Sequence, residues 1–339
     1  MKFRYLGRSG IQISALTFGN WLTQHSRSDV EAASLCIRAA LDAGITCFDT
    51  ADSYANGVAE ECLGTALAGE RRESLTVMTK VFFPVGPEPW GKNDAGLSRK
   101  HIMEGIDGSL RRLRMDYVDV YHAHRFDRFT PLEETMQAFA DIVRSGKALY
   151  IGVSEWTPEA LREGQALAHQ LGFSLISNQA QYSMLWRVIE SQVIPVSEEL
   201  GISQLTWSPL AQGVLSGKYR PGRVAPDGSR ATDTASGGAA MIKRWMADDV
   251  LEAVQKLHPV AEDLGLTMTQ LALAWVLKSP NVASAITGAS RPEQIIDNVR
   301  AVDVDLPPET VAAIDAILEG VTISDPARTA EFTPAARPV

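Results

Sequence analysis

The segment CFDTADSYANG, residues 47–57, places a carboxylate, Asp49, and a phenol, Tyr54, close together just where an apolar run ends. An ammonium, Lys80, closes a second apolar run (TVMTK), and an imidazole, His124, closes a third (VDVYHAH). Together these groups answer one pKa problem. A tyrosine, with an ordinary pKa of about 10, is a poor proton donor to a carbonyl oxygen near neutrality unless its phenolate is stabilised. A cation held close does this, and a carboxylate keeps that cation charged against desolvation. Lowering the phenol's pKa by about three pH units corresponds to roughly 4 kcal/mol, which a close ion in a low-dielectric pocket can supply. With His124 orienting the carbonyl, the set describes protonation of an oxygen while another agent delivers a hydride.

Singly, each residue has a plainer reading. Asp49 could cap a turn, Lys80 could end a strand in solvent, and Tyr54 could pack at a rim; only their joint placement favours chemistry. His122 and His124 also form an H-x-H on one face of a strand, a start for a metal-dependent barrel hydrolase. That reading needs further ligands, yet His169 and His258 fall in helical stretches and His101 opens a helix. No metal is therefore expected, and His122 is assigned to packing or hydrogen bonding in the wall. GVLSGKY lacks the spacing of a phosphate-binding P-loop, which excludes an NTPase reading.

The elements that must position these residues follow a strict rhythm. The 339 residues are 45% hydrophobic and 22% charged, enough for a large core. A helical pattern at 28–43 leads to the strand ITCFDTA, and the alternation recurs: helix 58–69 then SLTVMTKV, helix 98–114 then YVDVYHAH, helix 131–145 then ALYIGVS. Helix 158–170 precedes SLISNQAQ, helix 189–200 precedes SQLTWSPL, and after a long interruption helix 268–279 precedes ASAITGA. Pro131 is expected in the first turn of its helix. Strands apolar on both faces, rarely joined by hairpin turns, indicate a parallel sheet under helices. About eight units close economically into a single (β/α)8 TIM barrel over 1–339, entered through an N-terminal β-hairpin and carrying long mouth loops. An open doubly wound sheet is the rival, weakened by the absence of any G-x-G-x-x-G string. Residues 214–241 read as a cofactor-covering loop and 321–339 as a C-terminal tail.

A net charge of −9 with no dense basic block argues against a nucleic-acid partner. Cys36, Cys47 and Cys62 lie at no metal-ligand spacing and read as reduced and structural. No apolar stretch approaches the roughly 20 residues of a membrane span, so a cytoplasmic protein with no membrane partner is expected.

The segments GITCFDTADSYANGVAEECLG, VMTK, YVDVYHAHRFD, YIGVSEW, NQAQYS, TWSPLAQGVLSGKY and ITGASRPEQIIDN resemble, in order, the signature segments of the aldo-keto reductase superfamily. The likeness runs from about residue 3 to about residue 320 and is greatest to the branch containing voltage-gated potassium channel beta subunits and their bacterial relatives. It implies a barrel binding NADPH across its mouth, a small-molecule carbonyl substrate, and a catalytic tetrad on Asp49, Tyr54, Lys80 and His124. By the same likeness Trp207 stacks on the nicotinamide, Ser154 and Gln179 hold its carboxamide, and Asn20 and Trp21 border that end. Ser208, Leu210, Gln212, Gly213, Lys218 and Arg230 would follow the pyrophosphate. Gly288, Ser290, Gln294, Asp297 and Asn298 would surround the adenosine, with Ser290, Arg291 and Gln294 placed to grip a 2′-phosphate. Trp21, Tyr54, Phe82, Phe83, Trp90, His124, Phe126 and Trp186 would supply an aromatic substrate pocket. Glu155 stands where many members have Asn. A second implication is a cofactor-binding regulatory subunit with little catalysis, but the channel subunits carry Asn at the position of His124. The likeness leaves a homo-oligomer open, since relatives include both tetramers and monomers.

Overall fold

A computed structural model describes residues 1–21, 27–234 and 238–338. Strands β1 (Phe3–Tyr5) and β2 (Gln12–Ser14) pair antiparallel, Phe3 opposite Ser14. Eight parallel strands then close a barrel: β3 (Leu16–Gly19), β4 (Cys47–Asp49), β5 (Thr76–Val81), β6 (Val118–Ala123), β7 (Ala148–Ser154), β8 (Leu175–Gln181), β9 (Ser203–Trp207) and β10 (Val282–Thr287), with β10 returning to β3. Closure pairs every strand on both sides, so no edge is exposed.

The hairpin plugs the N-terminal end of the barrel. Leu6 and Ile13 pack on the inward-facing Cys47, Met78, Val120, Ile176, Leu205 and Ala283, all buried. Arg4 donates to the Val282 and Leu277 carbonyls, and the Arg8 amide to Gly201. Gly7 is required in the turn: its φ is +60°, and a Cβ there would stand 2.5 Å from the carbonyl oxygens of Gly201 and Ile176. A cavity of about 600 Å³ lies at this end, lined by Arg8, Tyr150 and His169 among others.

Surrounding helices match the periodicity with shifted ends. The helix Arg99–Leu113 is capped by Ser98, whose side chain accepts from the His101 amide, and Leu132–Arg144 begins one residue after Pro131, which occupies the cap and not the first turn. The interruption before Met268–Leu277 is not structureless: it carries the helices Asp248–Gln255 and His258–Asp263. Segment 214–241 is likewise partly helical, with 3₁₀ turns at Ala211–Ser216 and Arg230–Thr232 and a short helix, Gly238–Ile242; residues 235–237 of it fall outside the described residues. The tail is built in as well. Its 3₁₀ segment Pro326–Phe332 lies against the barrel mouth, where Phe332 meets Trp186 and Trp207 edge-on. Cys36, Cys47 and Cys62 are buried and unbridged. Among the described residues no helix is long and apolar enough to cross a membrane.

Candidate active site

Asp49 is the last residue of β4, Lys80 sits one residue inside the end of β5, and His124 follows β6 directly, so barrel closure brings all three to the C-terminal mouth. Tyr54 is delivered by a 3₁₀ turn, Tyr54–Gly57, in which Ala55 and Asn56 adopt left-handed backbone with φ of 48° and 54°. Asn56 Oδ1 accepts from the Gly86 amide at 2.6 Å, tying this turn to the loop after β5.

Lys80 is fully buried, and its three ammonium protons have three acceptors: Asp49 Oδ2 at 2.7 Å, the Thr50 carbonyl at 2.7 Å and Tyr54 Oη at 3.0 Å. An ammonium only donates, so the Tyr54 oxygen is the acceptor and its own proton remains available for a third group. The other Asp49 oxygen, Oδ1, accepts from Gln179 Nε2 at 2.8 Å. The His124 ring stands edge-on to Tyr54, centroids 5.7 Å apart.

Burial raises the Tyr54 pKa, and the Lys80 cation opposes that rise without overcoming it. This corrects the sequence expectation of a net depression: the charge pattern is legible in the residues, whereas the desolvation comes from the packed fold. Burial pulls Lys80 down, but Asp49 and Tyr54 outweigh it and hold the ammonium charged. Burial, then the Arg125 and Lys80 cations, drives His124 well below the ordinary histidine range, giving a neutral imidazole. His122 is pushed by burial to about 3 and bonds Ser177 Oγ through Nε2 at 3.0 Å, inside the barrel wall. Among the described residues no three His, Cys, Asp or Glu side chains converge as metal ligands.

Several further sequence-selected residues join this network. Ser154 Oγ donates to the Gln179 carbonyl at 2.8 Å. The Trp207 indole, partly exposed, donates to Glu155 Oε1 at 2.7 Å, and the same oxygen accepts from the Gln181 amide at 2.6 Å. Burial lifts the Glu155 carboxyl to about 7, with Arg125 pulling the other way. Asn20 anchors its backbone to Asp49 and its Nδ2 to the Ala59 carbonyl, leaving Oδ1 buried and unpartnered.

The remaining candidates occupy the loops after β9 and β10, on the same end. Ser208, Gln212 and Gly213 have positive φ, and Leu210 is half-buried between them. Gln212 bridges Ser208 Oγ and the Trp245 indole, so its amide is already engaged. Lys218 is exposed next to Gly213, and the Arg230 guanidinium, its pKa lowered by burial, lies 4.9 Å from the Trp21 ring. Gly288 passes close to the Gly19 carbonyl, 3.3 Å from where a Cβ would stand. Gln294 Oε1 accepts from the Ser290 and Arg291 amides and shapes that loop, while Asn298 is buried. Asp297 is tied to Thr267 and Gln270 at the start of a neighbouring helix, a structural engagement the sequence did not disclose.

Of the aromatic pocket residues, Phe83 and Phe126 are partly exposed and Trp90 is open to solvent, its indole bonded to the Gly86 carbonyl. Phe82 and Trp186 are corrections. With 1% and 0% exposure they have no surface for a substrate and instead support Phe83 and Phe332 from behind. Phe332 and Arg125 are mouth residues that sequence reasoning left out. Phe332 gave no local signal in the tail, while Arg125 was visible as a cation immediately after His124.

A closed parallel barrel with a lysine-contacted phenol, a buried carboxylate and a neutral imidazole at the strand ends defines a (β/α)8 oxidoreductase. The chain belongs to the Aldo/keto reductase family, whose family model matches residues 15–319. It is similar to a probable voltage-gated potassium channel subunit beta of Oryza sativa subsp. japonica, 42% identical over 98% of this chain and all of the relative. A protein of the same name from Arabidopsis thaliana is 43% identical, over 97% of this chain and 98% of the relative. A putative voltage-gated potassium channel subunit beta of Schizosaccharomyces pombe is 42% identical over 93% of each.

Proposed function

We propose that this protein is an NADPH-dependent reductase that converts aldehyde or ketone carbonyls to alcohols, with Tyr54 as the proton donor. The observation carrying this reading is the 3.0 Å contact between Lys80 Nζ and Tyr54 Oη. The phenol keeps its proton at neutral pH and has that proton free to give. As it passes to the carbonyl oxygen, the phenolate left behind faces the Lys80 ammonium, which Asp49 and the Thr50 carbonyl hold in position. His124, neutral and edge-on to Tyr54, orients the carbonyl oxygen by hydrogen bonding. In the reverse direction Tyr54 is the base.

The residues present suit a pyridine dinucleotide. Trp207 keeps an exposed part and is fixed through its indole, suiting it to stack on a flat ring. Gln179 commits its Nε2 to Asp49, which leaves its side-chain Oε1 to accept from a carboxamide, with Ser154 alongside. Lys218, Arg230 and Arg291 supply cations to a polyanion in an otherwise acidic chain, and the close approach at Gly288 suits backbone contact with a ligand. A reduced nicotinamide bound there supplies the hydride. The segment 214–241 would cover the cofactor, and the whole chain would act as one barrel domain, in the cytoplasm and as a monomer or homo-oligomer.

The test is absorbance at 340 nm with NADPH and a panel of carbonyl compounds. Multiple turnover by the wild type is expected, and its absence across the panel removes the catalytic claim. A second reading, a cofactor-sensing partner of a channel, is motivated by the relatives' names. It is distinguished by tight NADPH binding with no more than a single turnover.

A further inference from the structure

Arg125 has no part in the reaction described above, yet its guanidinium lies at its centre. Nη1 donates to the His124 carbonyl at 2.5 Å and to Ser154 Oγ at 3.4 Å. The guanidinium carbon stands 5.7 Å from the Phe83 ring centroid and 5.8 Å from that of Phe332. Phe83 in turn meets His124 edge-on at 5.1 Å, and His124 meets Tyr54. The cation is thus linked to the proton-donating phenol through two ring contacts.

No carboxylate bonds Arg125 within 4 Å among the described residues: Glu155 attracts it from a longer range and spends one oxygen on other donors, and Asp127 is bonded elsewhere. Asp127, two residues on, accepts from the Leu97 and Phe129 amides, from Thr130 Oγ1 and from Arg337. Glu155 accepts from Gln181 and Trp207. A guanidinium carries five donor protons in a planar fork, and only those of Nη1 find acceptors here. Arg125 is partly exposed, and burial lowers its pKa against the attraction of Glu155. A cation that loses part of its hydration without a bonded counter-ion is destabilised. Aromatic faces compensate weakly, whereas a bidentate carboxylate matches the fork in charge and in shape.

We propose that Arg125 receives a carboxylate carried by the substrate itself, so that the preferred substrates are carboxylate-bearing aldehydes or ketones whose apolar bodies lie against Phe83 and Phe332. This rests on the carbonyl-reductase reading and narrows it to a substrate class.

The test compares 3- and 4-carboxybenzaldehyde with their methyl esters, in the wild type and in Arg125→Met. Intrinsic aldehyde reactivity cancels in the comparison. The acid-to-ester ratio of kcat/KM is expected to fall about 10- to 100-fold in Arg125→Met, the range of a charge-assisted bidentate pair. Arg125→Lys, which keeps the charge and loses the fork, should fall between. An unchanged ratio overturns the proposal, as does an unchanged ratio with weakened NADPH binding, which would assign Arg125 to the cofactor. A wild type that reduces the esters and rejects both acids refutes the substrate class alone; one that reduces none of the four refutes the underlying reading. If Arg125→Met does not fold, wild-type inhibition decides: benzoate is expected to compete more strongly than benzamide, and equal inhibition overturns the proposal.

Discussion

The Lys80 ammonium donates to the Tyr54 hydroxyl across 3.0 Å, and this direction of donation leaves the phenol's proton uncommitted. Asp49 completes the arrangement by accepting from Lys80 on one oxygen and from Gln179 on the other. The ammonium neither loses its proton nor rotates away, because all three of its hydrogens have acceptors. Catalytic proton donation, in this account, is a matter of which partner is free.

Tyr54→Phe removes the proton and leaves the ring. Turnover of any aldehyde the wild type reduces should fall by about 10²- to 10⁴-fold, the usual range for a positioned general acid. NADPH affinity, followed by protein fluorescence, should stay within about threefold, since binding two substrate-sized partners differs from protonating one. Undiminished turnover would assign the proton to another group.

Lys80→Met strands Asp49 in the interior with Gln179 as its remaining side-chain donor. Urea unfolding should show a loss of roughly 3–5 kcal/mol, the cost of leaving one member of a buried pair uncompensated. Adding Asp49→Asn should recover part of that loss, because the orphaned charge is then gone. A double variant no more stable than Lys80→Met would mean that the pair carries little of this cost.

Glu155 gives a pH signature. Its carboxyl is raised from 4.5 to about 7 in the fold, so between those values the native state binds the proton that the unfolded state has lost. Stability from this group is therefore present below about pH 4.5 and is lost as pH rises through 7, by about 3 kcal/mol at most. His122, depressed to about 3, acts in the opposite sense, its contribution present above about pH 6.5 and lost as pH falls toward 3. The difference between Glu155→Gln and wild type isolates the carboxyl. The variant should gain in melting temperature relative to wild type from pH 5 to pH 8, and a constant difference would show that Glu155 titrates normally.

Much of this was readable in the residues. The barrel strands from β4 onward follow from short apolar runs ended by Gly or polar clusters, and Asp49, Lys80 and His124 stand out because each ends such a run. Tyr54 was legible from its distance to Asp49. The helices at 248–255 and 258–263 escaped, since they are short and separated by Lys256 and Leu257, and no period survives over so few turns. Phe332 could not be placed, because its contacts with Trp186 and Trp207 join the far end of the chain to the barrel mouth. The upward Tyr54 pKa was misjudged for a related reason: sequence shows which charges are present, while desolvation depends on the walls around them.

Under the proposed function, cofactor preference would rest on the loop after β10, where Gln294 fixes the backbone of Ser290 and Arg291 and leaves the Arg291 side chain exposed. Arg291→Ala should weaken NADPH by about tenfold while changing NADH little, an effect that shrinks as salt screens the exposed contact. Equal losses for both cofactors in titration would separate Arg291 from the 2′-phosphate.

The central claim concerns the field of Lys80 at Tyr54, and titrating that phenol measures it directly. With ¹³Cζ-labelled tyrosine, and Tyr54→Phe to assign the resonance, Tyr54 should titrate about one to three pH units higher in Lys80→Met than in the wild type. An unchanged or lower value in Lys80→Met would contradict the account.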